Sequence, residues 1–274
     1  MQFTAMVLSN AEVSPGYWRM RMTAPPEFSA AAPGQFVMVR VNGAIDPLLR
    51  RPFGIFDVGT YTPNHSGAVT QPYLEILYRV VGKGTAQLAT LHETDLLDIL
   101  GPLGKGFDPG PAGEEKLIVG GGVGLAPLYL LARELVQHSP VRLFAGGRTS
   151  DDILCITEFE RLGVECYTAT EDGSLGECGL VTEALVRRLE TLKGAGAARI
   201  FACGPHGMLN AVAVIAAGQG IDCQVSLEGY MACGVGACLG CVAQGHGHSP
   251  ETPDYRCVCT EGPVFDSGEL KWRE

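Results

Sequence analysis

The sequence predicts a multidomain β plus α/β protein: an antiparallel β-barrel first, a parallel α/β domain second and a small cysteine-bearing region last. Three observations carry this. Short strand-like runs broken by Gly and Pro turns fill the N-terminal part, apolar strands alternate with amphipathic helices behind Pro109–Gly113, and cysteines crowd the segment after Leu227, where periodicity is lost. The expected segments are 1–110, 111–226 and 227–274.

In the first segment Gly34–Val41, Arg51–Val58 and Tyr73–Val80 are the clearest strands. In the last of these Leu74, Ile76, Tyr78 and Val80 alternate with Glu75, Leu77 and Arg79, the period of a half-buried strand. A short helix is expected on Thr85–Leu91. Closing several short strands into a barrel removes their exposed edges. Arg50-Arg51-Pro52-Phe53-Gly54 puts cations and an aromatic on one strand, and Gly82-Lys83-Gly84-Thr85 opens the helix; an arginine fork beside a helix start suits a pyrophosphate.

In the second segment Lys116–Val119 is a buried strand, and Leu125, Leu128, Leu131 and Leu135 follow at helical spacing. Further strands are expected at Val141–Ala145, Val164–Ala169 and Arg199–Ala202, with helices at Val181–Leu192 and Met208–Ala217. A parallel sheet of this kind binds ligands at the carboxyl ends of its strands. Two glycine turns lie there. Gly120-Gly121-Gly122-Val123-Gly124 joins a strand to a helix, where backbone approach and the helix N-terminus favour a phosphate, although Leu125 departs from a strict G-x-G-x-x-G. Cys203-Gly204-Pro205-His206-Gly207 repeats the arrangement on another strand, and two such turns on one sheet fit a dinucleotide.

Composition narrows the class. With 274 residues and 46% apolar content the chain buries a substantial core. A net charge of −10, without an acidic tail, argues against a nucleic-acid or anionic-membrane binder. Met1–Asn10 lacks the basic start and apolar run of a signal peptide, and no apolar stretch suits a bilayer span, so a cytoplasmic location is expected. Ten cysteines in a reducing compartment are a disulfide framework only with difficulty. Cys155, Cys166, Cys178, Cys203 and Cys223 are scattered and read mostly as small buried hydrophobes. Cys233, Cys238 and Cys241 instead have four and two residues between them, with Cys257 or Cys259 further on as a fourth thiolate. This is the plant-type [2Fe–2S] spacing, and Gly234, Gly236 and Gly240 allow backbone N–H groups to approach sulfur. The alternatives are a zinc site, for which Cys257-Val258-Cys259 makes a poor knuckle, and ordinary thiols. His246 and His248 do not follow a cysteine in the order of a Rieske centre.

Together these residues resemble the ferredoxin reductase superfamily, which joins an FAD-binding barrel to a nicotinamide-binding α/β domain. Arg51-Pro52-Phe53-Gly54 resembles its flavin-holding strand, with Gly54 where Ser or Thr is usual, and Tyr78 joins the cofactor-binding candidates. Gly82, Gly84 and Thr85 match its pyrophosphate turn. Gly120, Gly121, Gly122, Gly124 and Pro127 match the G-G-G-x-G-x-A-P nucleotide turn, and Cys203, Gly204, Pro205 and Met208 match C-G-P-x-x-M. Gly146-Gly147-Arg148 and Glu171-Asp172-Gly173-Ser174 also look like family elements. The run from Glu228 to Cys241, with Cys259-Thr260-Glu261-Gly262-Pro263-Val264-Phe265, is similar to the PyrK family, the electron-transfer subunits of NAD-dependent dihydroorotate dehydrogenases. That resemblance favours Cys259 over Cys257 as the fourth iron ligand.

The resemblance implies an oxidoreductase subunit of pyrimidine biosynthesis carrying FAD, a [2Fe–2S] cluster and an NAD site. Its implied partner is an FMN-containing catalytic subunit that oxidises dihydroorotate, in a heterotetramer of two of each. Electrons would pass from FMN through the cluster to FAD, and as hydride to NAD+. The rival is the flavin and iron–sulfur subunit of a ferredoxin:NADP reductase or sulfide dehydrogenase complex; a zinc-binding module on a degenerate reductase and an oxygenase reductase fit less well. No acid–base pair is required of the chain. Preference for NADH over NADPH follows from the resemblance alone, and Arg148 keeps that choice open.

Overall fold

The computed structural model describes residues 1–41, 46–62, 69–192, 197–246 and 254–272. The N-terminal part contains β1 (Gln2–Ser14), β2 (Tyr17–Thr23), β3 (Phe36–Arg40), β4 (Arg51–Tyr61), β5 (Gln71–Arg79), α1 (Lys83–Ala89) and β6 (Leu96–Leu103). Its six strands close into an antiparallel barrel in the order β1-β2-β5-β4-β3-β6. Inward side chains including Met20, Met22, Val37, Ile55, Leu74 and Ile76 are wholly buried, so the barrel interior is a packed core rather than a lumen.

The nucleotide-turn segment follows as β7 (Glu115–Gly121), α2 (Ala126–Leu135), β8 (Val141–Gly147), α3 (Ile156–Arg161), β9 (Glu165–Thr170), β10 (Glu177–Cys178), α4 (Val181–Leu192), β11 (Ala198–Cys203), α5 (His206–Gln219) and β12 (Asp222–Ser226). The C-terminal part adds β13 (Val242–Gln244), β14 (Tyr255–Cys257) and β15 (Val264–Asp266). Parallel strands run in the order β10-β9-β8-β7-β11-β12, and β15 extends that sheet antiparallel to β12 through Val225↔Phe265. The cysteine-bearing region is thereby stitched into the nucleotide sheet. It also touches the barrel, where Lys105 N–H donates to the Gly262 carbonyl at 2.6 Å.

Burial of β5 corrects the half-buried expectation. Its alternate residues Glu75 and Leu77 are 3% and 2% exposed, because the outer face of this strand is covered rather than solvated. Leu77 joins Tyr17 and Phe56 in a core shared with Leu128, Leu131 and Phe159 from α2 and α3. Phe56 stacks on Tyr129 with ring centroids 4.6 Å apart. The buried Glu75 carboxylate is paired there, Arg19 and Arg21 each donating to it at 2.8 Å. Arg19 also reaches Glu158 of α3 at 2.9 Å, and Arg133 of α2 pairs with Asp57 of β4. The barrel therefore meets the sheet through apolar packing ringed by ion pairs. Among the described residues no helix is long and apolar enough to cross a membrane.

Candidate functional site

Two cavities open between the barrel and the carboxyl ends of the parallel strands. The first, of about 500 Å³, has Arg51, Pro52, Phe53, Gly54, Tyr78 and Thr85 on its barrel side. Pro127 and Cys203 close it from the sheet, and Met231 from the cysteine-bearing region. The sequence candidates at the two ends of the barrel motif are adjacent: a Cβ on Gly84 would stand 3.0 Å from Arg51 Nε. Gly82 and Gly84 lie behind the wall and not in it. The Thr85 hydroxyl accepts the N–H groups of Val81 at 2.9 Å and Gly82 at 3.1 Å, so it shapes the turn at the start of α1. Arg50, next to Arg51, is spent on Asp98 of β6. Phe53 meets Tyr78 edge-on at 5.7 Å, and the Tyr78 hydroxyl donates to Asn10 at 3.0 Å, leaving the ring to line the cavity. At Gly54 a Cβ would sit 3.3 Å from Pro127, a close but ordinary-backbone approach between barrel and sheet. The cations Arg51 and Arg79, with aromatic and apolar walls, fit a flavin dinucleotide.

The second cavity, about 490 Å³, is lined by Gly121, Gly122, Gly204, Pro205 and Met208. The two glycine turns read from the sequence pack directly on one another. A Cβ on Gly121 would lie 2.8 Å from Pro205 and 3.0 Å from the Met208 sulfur, and one on Gly124 would collide with the Cys203 carbonyl. Gly120 and Gly124 stand behind the wall, with a Cβ on Gly120 running into Leu125. The Gly146–Arg148 turn and Glu171, noted only as family-like elements, contribute to this cavity. Tyr17, Arg79, Asp152 and Glu228 also line it and were missed, because each reaches the site from an element remote in sequence from either glycine motif. Arg79, Val123 and Glu228 belong to both cavities, which therefore meet at one junction. Desolvation by the surrounding protein raises the Glu228 carboxyl above the usual range, and burial raises the Cys203 thiol.

The cysteine loop follows Glu228 directly. Gly234 and Gly236 have φ of +74° and +78°, and a Cβ on Gly234 would strike Met38 of the barrel at 2.5 Å. These conformations turn backbone N–H groups onto sulfur. Val235 N–H donates to Cys233 Sγ at 3.5 Å and Gly236 N–H to Cys259 Sγ at 3.2 Å. Bonds from the N–H groups of Val235 and Cys238 lower the Cys233 thiol to about 6, whereas burial and its bond to Cys241 raise Cys259 to about 12. Cys233, Cys238, Cys241 and Cys259 thus lie close enough to one another to interact. Four thiols, three of them from one short loop with backbone N–H groups turned onto sulfur, are a donor set that fits a [2Fe–2S] cluster. Val258 N–H donates to the Cys241 carbonyl at 2.8 Å, which holds the distant Cys259 turn against the loop. Cys257 is half-buried on β14 beside this group. Of the other thiols Cys203 and Cys223 are buried and Cys155 and Cys166 half-buried; Cys178 departs from expectation, being exposed in a short edge strand. His246 is an exposed residue whose N–H meets the Glu269 carbonyl, and His248 lies outside the described residues.

Comparison with known proteins agrees with this geometry. Residues 228–271 match the iron–sulfur cluster binding domain of dihydroorotate dehydrogenase B, and residues 118–213 match the oxidoreductase NAD-binding domain. A relative from Desulforamulus reducens named dihydroorotate dehydrogenase B (NAD(+)), electron transfer subunit, is 38% identical, covering 98% of each chain. One of the same name from Geobacillus thermodenitrificans is 42% identical over 87% of this chain and 86% of its own. Among solved structures, an NADH-dependent reduced ferredoxin-NADP oxidoreductase is similar over 98% of this chain and 90% of its own, with a TM-score of 0.79 and 27% identity. A ferredoxin NADP+ reductase from Neisseria gonorrhoeae shares the fold alone, at TM-score 0.62 and 14% identity over 80% and 92% of the two chains. Sequence likeness along almost the full chain, in company with the barrel, the paired glycine turns and the cysteine loop, means that the chain belongs to the family of dihydroorotate dehydrogenase B electron transfer subunits.

Proposed function

We propose that this chain receives electrons from a catalytic subunit that oxidises dihydroorotate and delivers them to NAD+, as an oxidoreductase subunit of pyrimidine biosynthesis. One observation carries the reading. The cluster loop, the flavin-sized cavity and the nucleotide cavity are contiguous, with Met231 in the flavin-side wall two residues before Cys233 and Glu228 at the junction of the cavities. FAD, when bound, supplies the conversion between single electrons and hydride that a cluster and a nicotinamide require of one another. The chain's own residues do the holding.

On this reading Arg51 and the Gly82, Gly84 and Thr85 turn hold the FAD pyrophosphate, while Pro52, Phe53, Gly54 and Tyr78 pack its ring system. Gly120, Gly121, Gly122, Gly124 and Pro127 bring backbone close to the nucleotide. Cys203, Gly204, Pro205 and Met208 complete the floor between the two cofactors. Cys233, Cys238, Cys241 and Cys259 ligate iron; the N–H donated to Cys259 by Gly236 of the cysteine loop supports it over Cys257. On the same reading the three units are 1–110, 111–226 and 227–274, the last joined to the parallel sheet through β15.

The partner is an FMN-containing subunit, two copies of each chain forming the complex. Side chains around the cluster support docking there: Val235 and Leu239 are 49% and 66% exposed, and Tyr230 is fully exposed. A cytoplasmic location suits the four thiols, which must stay reduced until iron binds. The rival ferredoxin:NADP reductase reading has the weaker sequence support, its solved counterpart being 27% identical against 38% for a dihydroorotate-family relative. Co-expression with the candidate partner tests the proposal. Dihydroorotate-driven NAD+ reduction by a complex of mass corresponding to two of each chain is expected; a complex that reduces NAD+ only with reduced ferredoxin would overturn it. Protection of Met231–Cys241 from hydrogen exchange on assembly is expected as well, and unchanged exchange there would remove the docking assignment.

A further inference from the structure

Tyr17 belongs to the barrel strand β2, yet its hydroxyl donates to Asp152 Oδ1 at 2.6 Å across the interface, 135 residues away in sequence. Both side chains are nearly inaccessible, Tyr17 at 2% and Asp152 at 8%. The second oxygen of Asp152 accepts the backbone N–H of Arg148 at 3.0 Å and lies 3.8 Å from Arg148 Nε. Arg148 is 68% exposed in the wall of the nucleotide cavity. On the other side the Arg79 guanidinium lies 5.0 Å above the Tyr17 ring centroid, at the junction of the two cavities. A Cβ on Gly122 would come within 3.6 Å of the same hydroxyl. Tyr17 thus touches the Arg148 turn, the Gly122 turn and Arg79 at once.

The physical chemistry of this contact makes it stiff. A hydroxyl on an ionised, buried carboxylate is among the stronger neutral-donor hydrogen bonds. Burial and that bond raise Tyr17 to about 12; against the opposing cost of burial, the hydroxyl and the N–H groups of Arg148 and Thr149 hold Asp152 below the usual carboxylate range. Tyr17 therefore stays the donor and Asp152 the ionised acceptor around neutral pH. Arg148 and Arg79 are the cations of this cavity; the first lies beside the carboxylate that Tyr17 holds and the second above the Tyr17 ring.

We infer that Tyr17 is a positioning residue for the nicotinamide dinucleotide, setting Arg148 through Asp152 and Arg79 through its ring so that both cations face the nucleotide from fixed positions. The inference rests on assigning the cavity at Gly121, Gly122 and Arg148 to that nucleotide. Tyr17 touches no reacting atom, so its removal should weaken nucleotide binding and leave the chemical step nearly intact.

The test uses the FAD-loaded, iron-loaded chain, with NADH as donor and ferricyanide as acceptor, and a direct NAD+ titration. Tyr17→Phe keeps the ring under Arg79 and removes only the hydroxyl. KM for NADH and Kd for NAD+ should rise about tenfold, equivalent to about 1.4 kcal/mol. kcat should stay within about twofold and FAD content should be unchanged. Asp152→Asn should act in the same direction, and the double variant should be no worse than the poorer single, because the two groups share one bond. Unchanged KM and Kd in Tyr17→Phe, a fall in kcat at constant KM, or additive effects in the double variant would each overturn the inference. If Tyr17→Phe does not fold, Asp152→Asn alone decides by the same KM and kcat criterion. A wild-type chain that neither binds NAD+ nor oxidises NADH would instead defeat the nucleotide assignment itself, which separates the two failures.

Discussion

The cluster loop and the nucleotide cavity organise their ligands in opposite ways. In the cysteine loop, Cys233, Cys238 and Cys241 come from one short stretch, and backbone N–H groups of Val235 and Gly236 turn onto the sulfurs of Cys233 and Cys259. Around the second cavity, Tyr17, Arg79, Arg148, Asp152 and Glu228 arrive from both the barrel and the sheet, and the long-range bond from Tyr17 to Asp152 ties the two together. The cluster loop exposes its apolar side chains, whereas the contacts behind the cavity are buried. A site whose geometry is local tolerates an exposed position and can serve as a docking point; a site assembled between two folded units depends on their relative placement.

The sharpest way to break the comparison is to remove a local ligand. Cys238→Ser and Cys259→Ser should each lose most of the iron and reduce dihydroorotate-coupled NAD+ reduction by roughly a hundredfold or more, since the single-electron relay is gone. Both should keep FAD and NADH–ferricyanide activity, because the cavities do not depend on the loop's thiols. Cys257→Ser should retain the cluster, and iron analysis of the three variants checks the assignment. Loss of FAD along with iron would show the two regions to be one cooperative unit.

Next in size is a change at the meeting of the glycine turns. Gly124→Ala drives a Cβ into the Cys203 carbonyl, and backbone cannot step aside as a flexible side chain can. About 1–3 kcal/mol of stability should be lost, and NAD+ affinity should fall at least about tenfold, the equivalent of some 1.4 kcal/mol, with cluster content unchanged. Titration calorimetry on the holoprotein reads this directly.

The interface ion pairs give a smaller, pH-dependent effect. Arg133 pairs with Asp57, whose carboxyl is pushed above its usual range by burial in spite of that cation. Arg133→Ala should cost about 2 kcal/mol, less than a fully buried pair because the arginine is partly exposed. The midpoint of thermal unfolding should drop by about 5 °C near pH 8. Folded Asp57 holds its proton more tightly than the unfolded chain does, so its contribution becomes less favourable as pH rises above the ordinary carboxylate value. The variant should accordingly lose less near pH 5 than near pH 8, and an effect of the opposite sign would remove the pairing from the explanation.

Gly54→Ser should change least. Its Cβ meets only Pro127, at 3.3 Å, on unstrained backbone. The added hydroxyl restores the residue usual in the superfamily, and the rate of flavin reduction by NADH should shift by less than about fivefold, or about 1 kcal/mol. Stopped-flow absorbance would show it.

The same contrast explains what could be read from the amino-acid sequence. Barrel strands β3 to β5, the glycine turns and the cluster cysteines announce themselves because periodicity, Gly and Cys spacing are local signals. β1, β2, β6, β12 and α3 gave no clear pattern, being short, bulged or polar on one face only through partners elsewhere. Glu75 and Leu77 looked solvent-facing or ambiguous in isolation; their burial comes from Arg19, Arg21 and the helices laid across the barrel. Tyr17 and Asp152 carry no motif at all, since what matters is their meeting across the interface. Likewise β15 joins the nucleotide sheet by a pairing that no local propensity encodes.

The most direct measurement is an ultraviolet–visible spectrum of the purified chain, with iron, acid-labile sulfide and flavin assayed on the same sample. Flavin bands with a broad cluster shoulder, about two irons and two sulfides, and one FAD per chain are expected. A colourless protein holding zinc on Cys233, Cys238, Cys241 and Cys259 would contradict the electron-transfer reading at its base.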